Sequence, residues 1–203
     1  MPNKKPVPKQ PKKTPANKKS ALLIGRFQPL HLGHISVLKD ALQKFDSVLI
    51  CIGSSNKFRT LENPFTVGER HAMFKHTLDE LGVSPSSYRV IPIPDFGDDK
   101  KWLQHLLKTC PNFETVISGN QKVREIFQQD RTKKVLKPQK KYRISSTEVR
   151  EAIIKNQTLD KYTSKAVISF LNKIGATPRI MTEILNEDQD KKEPKPKPKF
   201  KIS

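Results

Sequence analysis

The sequence lacks the features that mark secreted, metal-binding and membrane-spanning proteins. It has only two cysteines, Cys51 and Cys110, in 203 residues, and they show neither a metal-site spacing nor a disulfide framework. No apolar run reaches the roughly 18 residues that a membrane-spanning helix needs. No apolar segment follows the first lysines, as it would in a signal peptide. These absences predict reduced thiols, no membrane contact and a cytoplasmic location.

Acidic residues are also scarce, since 20 Asp and Glu stand against 39 Lys and Arg, for a formal net charge of +19. Residues 1–20 contain seven lysines and no acid, and residues 193–200 are mostly alternating Pro and Lys. Segments with so few bulky apolar side chains cannot offset the entropy cost of ordering. We therefore predict a disordered tail over residues 1–20, one folded domain over 21–176, and over 177–203 a short helical extension followed by a second disordered tail.

Short apolar runs alternate with helical periodicities along the predicted domain. The predicted strands are 21–27, 48–53, 89–93, 114–118 and 133–136, and the predicted helices are 34–45, 67–81, 99–109, 120–129, 146–155 and 162–174. This alternation is typical of βαβ units with right-handed crossovers. It predicts an α/β fold with a doubly wound parallel sheet of about five strands. In such a sheet, ligands bind at the carboxyl ends of the strands, where the strand order reverses.

The turn between the first predicted strand and the first predicted helix carries the strongest functional signal. Its ten residues, Gly25 to His34, read GRFQPLHLGH and combine a glycine, an arginine and two histidines three positions apart. The first N–H groups of a helix attract anions, and His31 and His34 can share one face of the first helical turn. The pattern favours a nucleotide phosphate site over the simpler interpretation of two surface histidines.

Two motifs in this sequence resemble those of the H-x-G-H nucleotidyltransferase superfamily. His31 to His34 match the signature itself, and residues 144–150, ISSTEVR, are similar to the I-S-S/G-T-x-x-R motif. The segments between them resemble the archaeal-type nicotinamide-nucleotide adenylyltransferases: IGSSNKFRTLENPFTVGER (52–70), IPIPDF (91–96) and VISGNQKVREIF (116–127). The resemblance covers roughly residues 21–175. It implies a Rossmann-like fold and transfer of AMP from ATP to nicotinamide mononucleotide, which yields NAD and pyrophosphate.

The resemblance also implies a set of site residues. Catalytic roles fall on Arg26, His31 and His34, and nicotinamide mononucleotide binding falls on Arg70, Asp95 and Trp102. ATP binding is implied for Gly25, Phe27, Gly33, Ser118, Gly119, Asn120, Ser146, Thr147 and Arg150. No carboxylate cluster has a metal-ligand spacing, so no metal site of the protein itself is expected, and Mg²⁺ would be held mainly by ATP phosphates.

Several of these positions also have a structural interpretation. Ser146 and Thr66 fit helix N-caps, and Asn120 can cap a helix as readily as it can contact an adenine edge. A lone tryptophan is usually a core residue. Trp102 nevertheless aligns with the family's aromatic that stacks on the nicotinamide ring, an arrangement that cation–π attraction favours. Leu61 and Glu62 stand where some relatives carry a second basic residue, so the chain departs from the family pattern there.

Two other functions are compatible with parts of the sequence. Other adenylyl- or cytidylyltransferases of the superfamily, with phosphopantetheine or glycerol phosphate as acceptor, would share the two end motifs. A nucleic-acid-binding protein would use the lysine-rich tails for phosphate contacts, although no recognisable reading motif accompanies them. Weak polyanion binding by the tails and assembly into a homo-oligomer both stay open at this point.

Overall fold

The fold is a five-stranded, all-parallel sheet with helices on both faces, in a computed structural model that describes residues 19–129, 132–139 and 141–192. The strands are β1 (Ser20–Gly25), β2 (Ser47–Ile52), β3 (Tyr88–Pro92), β4 (Thr115–Ile117) and β5 (Lys134–Leu136). Their spatial order is β3-β2-β1-β4-β5. In the central register, Leu22 of β1 pairs with Leu49 of β2 and Val116 of β4. The predicted α/β fold with a doubly wound parallel sheet is confirmed.

Seven α-helices connect and cover the strands within the described residues. They are α1 (Leu32–Lys44), α2 (Val67–Glu80), α3 (Asp99–Thr109), α4 (Gln121–Gln128), α5 (Ser146–Ile154), α6 (Lys165–Lys173) and α7 (Ala176–Lys192). The six predicted helices are all present, with ends that lie within three residues of the prediction. Gly175 follows α6 with a left-handed φ of +61°, a conformation that commonly ends a helix.

Alternate residues of each central strand enter two hydrophobic cores, one on each face of the sheet. Ala21 and Leu23 pack into the larger core, which also receives residues from α1, α2, α5, α6 and α7. Leu22 and Ile24 pack into the smaller core with residues of α3 and α4. A period of two with apolar residues on both sides is expected for a strand that is buried on both faces. The sheet therefore gives rigid support to the turns that follow β1, β2 and β4.

The first strand and the last helix differ from the expected boundaries. β1 ends at Gly25, so residues 26 and 27, predicted as strand, belong to the turn, where Phe27 has a left-handed φ of +54°. The helical extension predicted after residue 176 is a helix of 17 residues, and Ile180 within it is fully buried in the larger core. The domain division at residue 176 stays a prediction. The predicted disordered tail over residues 1–20 extends too far, because Ser20 begins β1. Residues 1–18 and 193–203 of the predicted tails lie outside the described residues.

Candidate active site

A cleft of about 500 Å³ opens at the carboxyl ends of the central strands. Gly25 closes β1, Gly53 follows β2 and Gly119 follows β4, and all three line the cleft. From β1 the chain continues to β2 and β3 on one side of β1, and it then crosses to β4 and β5 on the other side. The cleft therefore occupies the point where the strand order reverses, which is where open α/β sheets bind ligands.

The structure brings nine of the fifteen predicted site residues to the wall of this cleft. They are Gly25, Arg26, Phe27, His34, Asp95, Trp102, Gly119, Asn120 and Ser146. The other six do not line it and lie beneath or beside the wall: His31, Gly33, Arg70, Ser118, Thr147 and Arg150. Residues from both end motifs, His34 and Ser146, thus meet in one place.

His31 and His34 form a stacked pair at the start of α1. Their ring centroids are 3.6 Å apart and their planes are inclined by 25°. His31 is the N-cap residue of the helix and is 1 % exposed, whereas His34 is partly exposed and lines the cleft. The two rings share one side of the first turn, as the spacing predicted, but only His34 reaches the cleft.

Two further residues of the GRFQPLHLGH turn, Phe27 and Gly33, pack closely around these rings. The ring of Phe27 contacts His34 edge-on, with a centroid distance of 4.8 Å. A Cβ added to Gly33 would lie 3.0 Å from the His31 ring and 3.1 Å from the backbone oxygen of Tyr142. Gly33 therefore lets His31 and the Tyr142 segment approach the helix, and it does not itself line the cleft.

Arg70 is fully buried and does not line the cleft. Its guanidinium Nη atoms donate to the carbonyl oxygens of Arg26, Gly53 and Ser54, at 3.0, 2.8 and 3.1 Å. Its Nε donates to the Thr66 carbonyl at 3.3 Å. Burial and the nearby Arg26 charge lower the pKa of Arg70 to about 10, so the side chain stays charged at neutral pH. In contrast to the expected contact with the mononucleotide, Arg70 joins the turns that follow β1 and β2.

Gln28 supports the same turn and was not among the predicted site residues. Its side-chain Nε2 donates to the Phe65 carbonyl, and its Oε1 accepts from the Phe65 N–H, both at 2.9 Å. The amide is buried, so this paired contact ties the GRFQP segment to the N-P-F-T segment. The available signal was a polar amide between two apolar or ring residues, Phe27 and Pro29.

The N-terminus of α5 faces the β1–α1 turn. Ser145 is its N-cap, because the Ser145 hydroxyl accepts from the Glu148 N–H at 3.2 Å while the Glu148 carboxylate accepts from the Ser145 N–H at 2.7 Å. Ser146, expected at the cap, is instead the first helical residue. Its hydroxyl donates to the Pro29 carbonyl at 3.3 Å, and the residue lines the cleft.

Arg150 connects α5 to the same turn. Its Nη1 donates to the Gln28 carbonyl at 2.8 Å, and its Nη2 donates to the Thr147 hydroxyl at 3.2 Å. Burial and the positive charge of Arg26 lower the pKa of Arg150. Two arginines therefore lie near enough to influence one another beside the stacked histidines, an arrangement that favours an anion between them.

The segment after β4 combines capping with a position at the cleft. The Asn120 side-chain oxygen accepts from the Val123 N–H at 3.4 Å and caps α4. Ser118 is fully buried and donates to the Ile24 carbonyl at 3.4 Å, so it links β4 to β1. Gly119 and Asn120 line the cleft. Ser118 thus supports the wall from below.

Trp102 lines the cleft from the first turn of α3. Its side chain is partly buried and packs edge-on against Phe127, with a centroid distance of 6.2 Å and an interplanar angle of 76°. The residue borders the smaller core without being enclosed by it. This position leaves part of the indole available to a ligand in the cleft.

Two ion pairs flank Trp102. Lys57 Nζ lies 2.7 Å from Asp95 Oδ2, and this contact together with the Gly97 N–H lowers the pKa of Asp95. Lys122 Nζ lies 2.8 Å from Asp99 Oδ1, which raises the pKa of Lys122. Lys122 was not predicted as a site residue. Its position in the first turn after the S-G-N segment is the signal that would have found it.

The described residues contain no group of three or more His, Cys, Asp or Glu placed to hold a metal ion. In the same part of the chain, no helix combines the length and apolar character needed to cross a membrane. Cys51 and Cys110 are buried and not disulfide-bonded, with their sulfur atoms 3.5 Å apart. The hydrogen bond between Cys51 and Cys110, together with burial, raises the pKa of the Cys51 thiol.

One family model and several named proteins match most of this chain. Residues 22–152 match the family described as Cytidylyltransferase-like. The nicotinamide-nucleotide adenylyltransferase of Pyrococcus furiosus is 37 % identical over 86 % of this chain and 94 % of its own length. The proteins of the same name from Thermococcus sibiricus and Saccharolobus solfataricus are 34 % and 35 % identical, over 85 % and 81 % of this chain and 92 % and 96 % of their own lengths.

Solved structures share the fold. A bifunctional NMN adenylyltransferase/ADP ribose pyrophosphatase from Francisella tularensis superposes with a TM-score of 0.76 at 21 % identity, over 85 % of this chain and 54 % of that one. A structure of such a bifunctional protein from the same organism, complexed with AMP and a manganese ion, gives a TM-score of 0.74 at 22 % identity over the same shares. The chain spans about half the length of these bifunctional proteins.

Proposed function

Because the chain belongs to the cytidylyltransferase-like family and, within it, to the nicotinamide-nucleotide adenylyltransferases, we propose that it transfers AMP from ATP to nicotinamide mononucleotide. The products are NAD and pyrophosphate. The observation that carries the proposal is the convergence of the two end motifs, with His34 and Ser146 lining one cleft that Trp102 also lines.

The proposed reaction is an in-line displacement at phosphorus. A phosphate oxygen of the mononucleotide bonds to the α-phosphorus of ATP, and the bond from that phosphorus to the bridging β-phosphate oxygen breaks. Pyrophosphate leaves with the electron pair, so no oxidant or reductant is required. Catalysis of such a transfer depends mainly on positioning and charge stabilisation, and it needs no covalent intermediate with the protein.

We assign the phosphate contacts to the cleft wall formed by α1 and α5. His34 reaches the cleft and can donate a ring N–H to the α-phosphate or to the departing pyrophosphate. Arg26 lines the same wall, and its only ion pair in the described chain, with Glu62 at 3.6 Å, is exposed and therefore weak. Arg150 lies close to Arg26 and completes the positive group. His31, buried beneath His34, is a positioning residue.

We assign the adenine of ATP and the nicotinamide ring to opposite ends of the cleft, according to the residues that line each end. Gly119 permits close approach of an adenine to the backbone, and Asn120 supplies an amide beside it. Trp102 can stack on the nicotinamide ring, since a pyridinium over an indole is attractive, and Asp95 borders that end. The predicted residues beneath the wall position the turns that line it: Gly33, Arg70, Ser118 and Thr147.

A divalent metal ion accompanies ATP in this proposal, and Mg²⁺ is the expected ion. When bound, it would neutralise phosphate charge at the reacting centre. Mg²⁺ usually keeps several waters and binds through substrate phosphates, which suits a described chain without a three-residue metal-binding group. ATP and water oxygens are therefore the proposed ligands.

An acceptor panel tests the proposed function. The purified full chain is incubated with ATP, Mg²⁺ and each of nicotinamide mononucleotide, phosphopantetheine and glycerol phosphate, and the products are identified by mass. We expect NAD, with nicotinamide mononucleotide as a preferred acceptor. Conversion of only phosphopantetheine or glycerol phosphate would assign another transferase activity of the superfamily and overturn the proposal.

The lysine-rich tails support an accessory proposal, weak binding of polyanions. RNA binding is compared at increasing salt between the full chain and a chain without residues 1–18 and 193–203, because phosphate contacts by lysine weaken steeply with salt. Sedimentation of the same samples reports any homo-oligomer.

A cytoplasmic location is also proposed, because neither cysteine forms a disulfide bond. Cell fractionation tests this location.

A further inference from the structure

The two cysteines of the chain lie against each other in the smaller core, although they are 59 positions apart in the sequence. Cys51 belongs to β2, and Cys110 is the residue that ends α3. Their sulfur atoms are 3.5 Å apart. The sulfur atoms of a disulfide are about 2.05 Å apart, so a small approach of α3 to β2 would join the two thiols. Neither residue lines the cleft.

The two thiols differ in their distance from the surface. Cys51 is fully buried, in a strand that pairs with β1 on one side and with β3 on the other. Cys110 is 6 % exposed, and its chain neighbours Thr109 and Pro111 are both exposed. Helix ends open more readily than the centre of a sheet. Opening of the last turn of α3 therefore admits a small oxidant to Cys110 before it reaches Cys51.

The two thiols also differ in acidity. Their mutual hydrogen bond and burial raise the pKa of Cys51. The same hydrogen bond, together with the positive charge of Arg89 on β3, lowers the pKa of Cys110. Cys110 is thus the thiol that ionises first, and its sulfur then accepts from the Cys51 thiol. The thiolate is the reactive form of cysteine, and an acidic cysteine next to a second thiol is the arrangement that oxidants convert to a disulfide.

We propose that Cys51 and Cys110 form an oxidation site, at which a hydroperoxide converts the two thiols to an intramolecular disulfide. With hydrogen peroxide, the Cys110 thiolate bonds to one peroxide oxygen and the O–O bond breaks. The sulfur is oxidised to a sulfenic acid, and the other oxygen takes up a proton and leaves as water. The Cys51 sulfur then bonds to the Cys110 sulfur, and the hydroxyl group leaves as water with the Cys51 proton. Two thiols and one peroxide give one disulfide and two waters.

The disulfide would join β2 to the end of α3. Its loop contains α2 and β3, and closure of a long loop stabilises a fold by restricting the unfolded chain. The glutathione and thioredoxin of a cytoplasm keep thiols reduced, so the bond forms when peroxide exceeds this reducing capacity. The site is independent of the proposed transferase reaction, because neither sulfur contacts the cleft.

The test treats the reduced full chain with hydrogen peroxide and measures intact mass, free thiols and the melting temperature. We expect loss of two hydrogen atoms and of both free thiols in a chain that stays monomeric in mass, with recovery on addition of dithiothreitol. The melting temperature should rise by about 5 °C or more, a modest share of what closure of so long a loop allows. The same chain unfolded in urea shows that the peroxide is active.

Two variants test the order of the steps, and each is the matched control for the other. In Cys51→Ala, peroxide should stop at a sulfenic acid on Cys110, which dimedone traps. In Cys110→Ala, Cys51 should remain an unmodified thiol over the same time, since it is fully buried. Thermal melts establish that both variants are folded.

Four results would overturn the inference. Survival of both thiols in the folded wild type, while the unfolded chain reacts, excludes the oxidation site. A disulfide between two chains excludes the intramolecular bond. Modification of Cys51 in Cys110→Ala, or no trapped sulfenic acid in Cys51→Ala, excludes Cys110 as the first thiol to react. A melting temperature that stays constant or falls on oxidation excludes the stabilising effect. None of these results bears on adenylyl transfer, which the acceptor panel tests separately.

Discussion

At the scale of single residues, the two histidines of the H-x-G-H motif have different surroundings. His34 borders the cleft, and His31 lies buried against it in a stack with a 3.6 Å centroid distance. Stacking and the edge contact from Phe27 restrict the orientation of the His34 ring. We therefore expect His34 to act through its own hydrogen-bond donor and His31 to act through the placement of His34.

His34→Ala should lower the rate of NAD formation about 10²-fold or more, the scale for loss of one preorganised donor to a developing charge. His31→Ala should give a loss of the same order, since the ring beneath His34 disappears. Initial rates at saturating ATP and mononucleotide measure both. His76→Ala, an exposed histidine on α2, is the control with normal turnover. A folded His34→Ala variant with normal turnover would make this histidine a bystander.

Trp102→Ala separates stacking from packing. If the indole stacks on nicotinamide, the mononucleotide concentration needed for saturation rises by the equivalent of about 0.5–2 kcal/mol, while ATP saturation changes little. The partial burial of Trp102 predicts a smaller stability loss than the roughly 3–5 kcal/mol of a buried tryptophan. Separate saturation curves and thermal melts provide the measurement. A large fall in melting temperature without selective loss for the mononucleotide would contradict the stacking role.

At the scale of elements, the β1–α1 turn is held by several separate parts of the chain, three of which contact its first half. Arg70 reaches it from α2, Arg150 from α5, and the Phe65 backbone through Gln28. Each contact terminates on a backbone group or an amide of the turn, so the turn is fixed independently of any ligand. This arrangement makes the cleft preorganised, which is what positioning catalysis requires.

Arg70→Lys retains the charge and removes the guanidinium fork that joins two turns. We expect loss of about 1.5–3 kcal/mol of stability, the scale of a hydrogen bond to a charged donor, and weaker saturation by both substrates, because both turns border the cleft. Thermal melts and two saturation curves measure this. Arg89→Lys, at an exposed position on β3, is the matched control. A selective rise in the mononucleotide requirement alone would instead support direct contact by Arg70.

The caps show how far local sequence determines an element. Thr66 was predicted as a cap and forms a capping box with Glu69. At α5 the predicted cap, Ser146, was wrong by one residue. Ser145 is the cap, because Glu148 lies three residues later and its carboxylate accepts from the Ser145 N–H. That spacing was present in the sequence and decides between the two serines.

At the scale of the whole molecule, the order of elements and the location of the cleft followed from alternating strand and helix patterns. Those patterns are local, and the rule that ligands bind where strand order reverses is general. The burial of Arg70 and His31 could not be predicted from these local patterns. Both depend on contacts between segments distant in sequence, such as Arg70 with Gly53, and an arginine or histidine in a motif has the same local pattern whether it contacts substrate or backbone.

Deleting residues 1–18 and 193–203 should leave turnover near that of the full chain, because neither segment contains a motif residue. Ser20 must be kept, since it begins β1 and its hydroxyl lies 2.7 Å from that of Ser47. α7 must be kept as well, since Ile180 is buried. Turnover of the truncated and full chains at equal concentration is the comparison. Lost activity in a folded truncated chain would mean that the lysines contribute to the site.

The fate of the α-phosphorus tests adenylyl transfer most directly. ATP labelled at the α-phosphate is incubated with Mg²⁺, nicotinamide mononucleotide and either wild type or an identically purified His34→Ala variant. We predict that the α-label appears in NAD, that a γ-label appears only in pyrophosphate, and that the variant forms NAD about 10²-fold more slowly. Transfer of the γ-label to the mononucleotide with release of ADP, or equal rates for both proteins, would contradict the proposed reaction at this site.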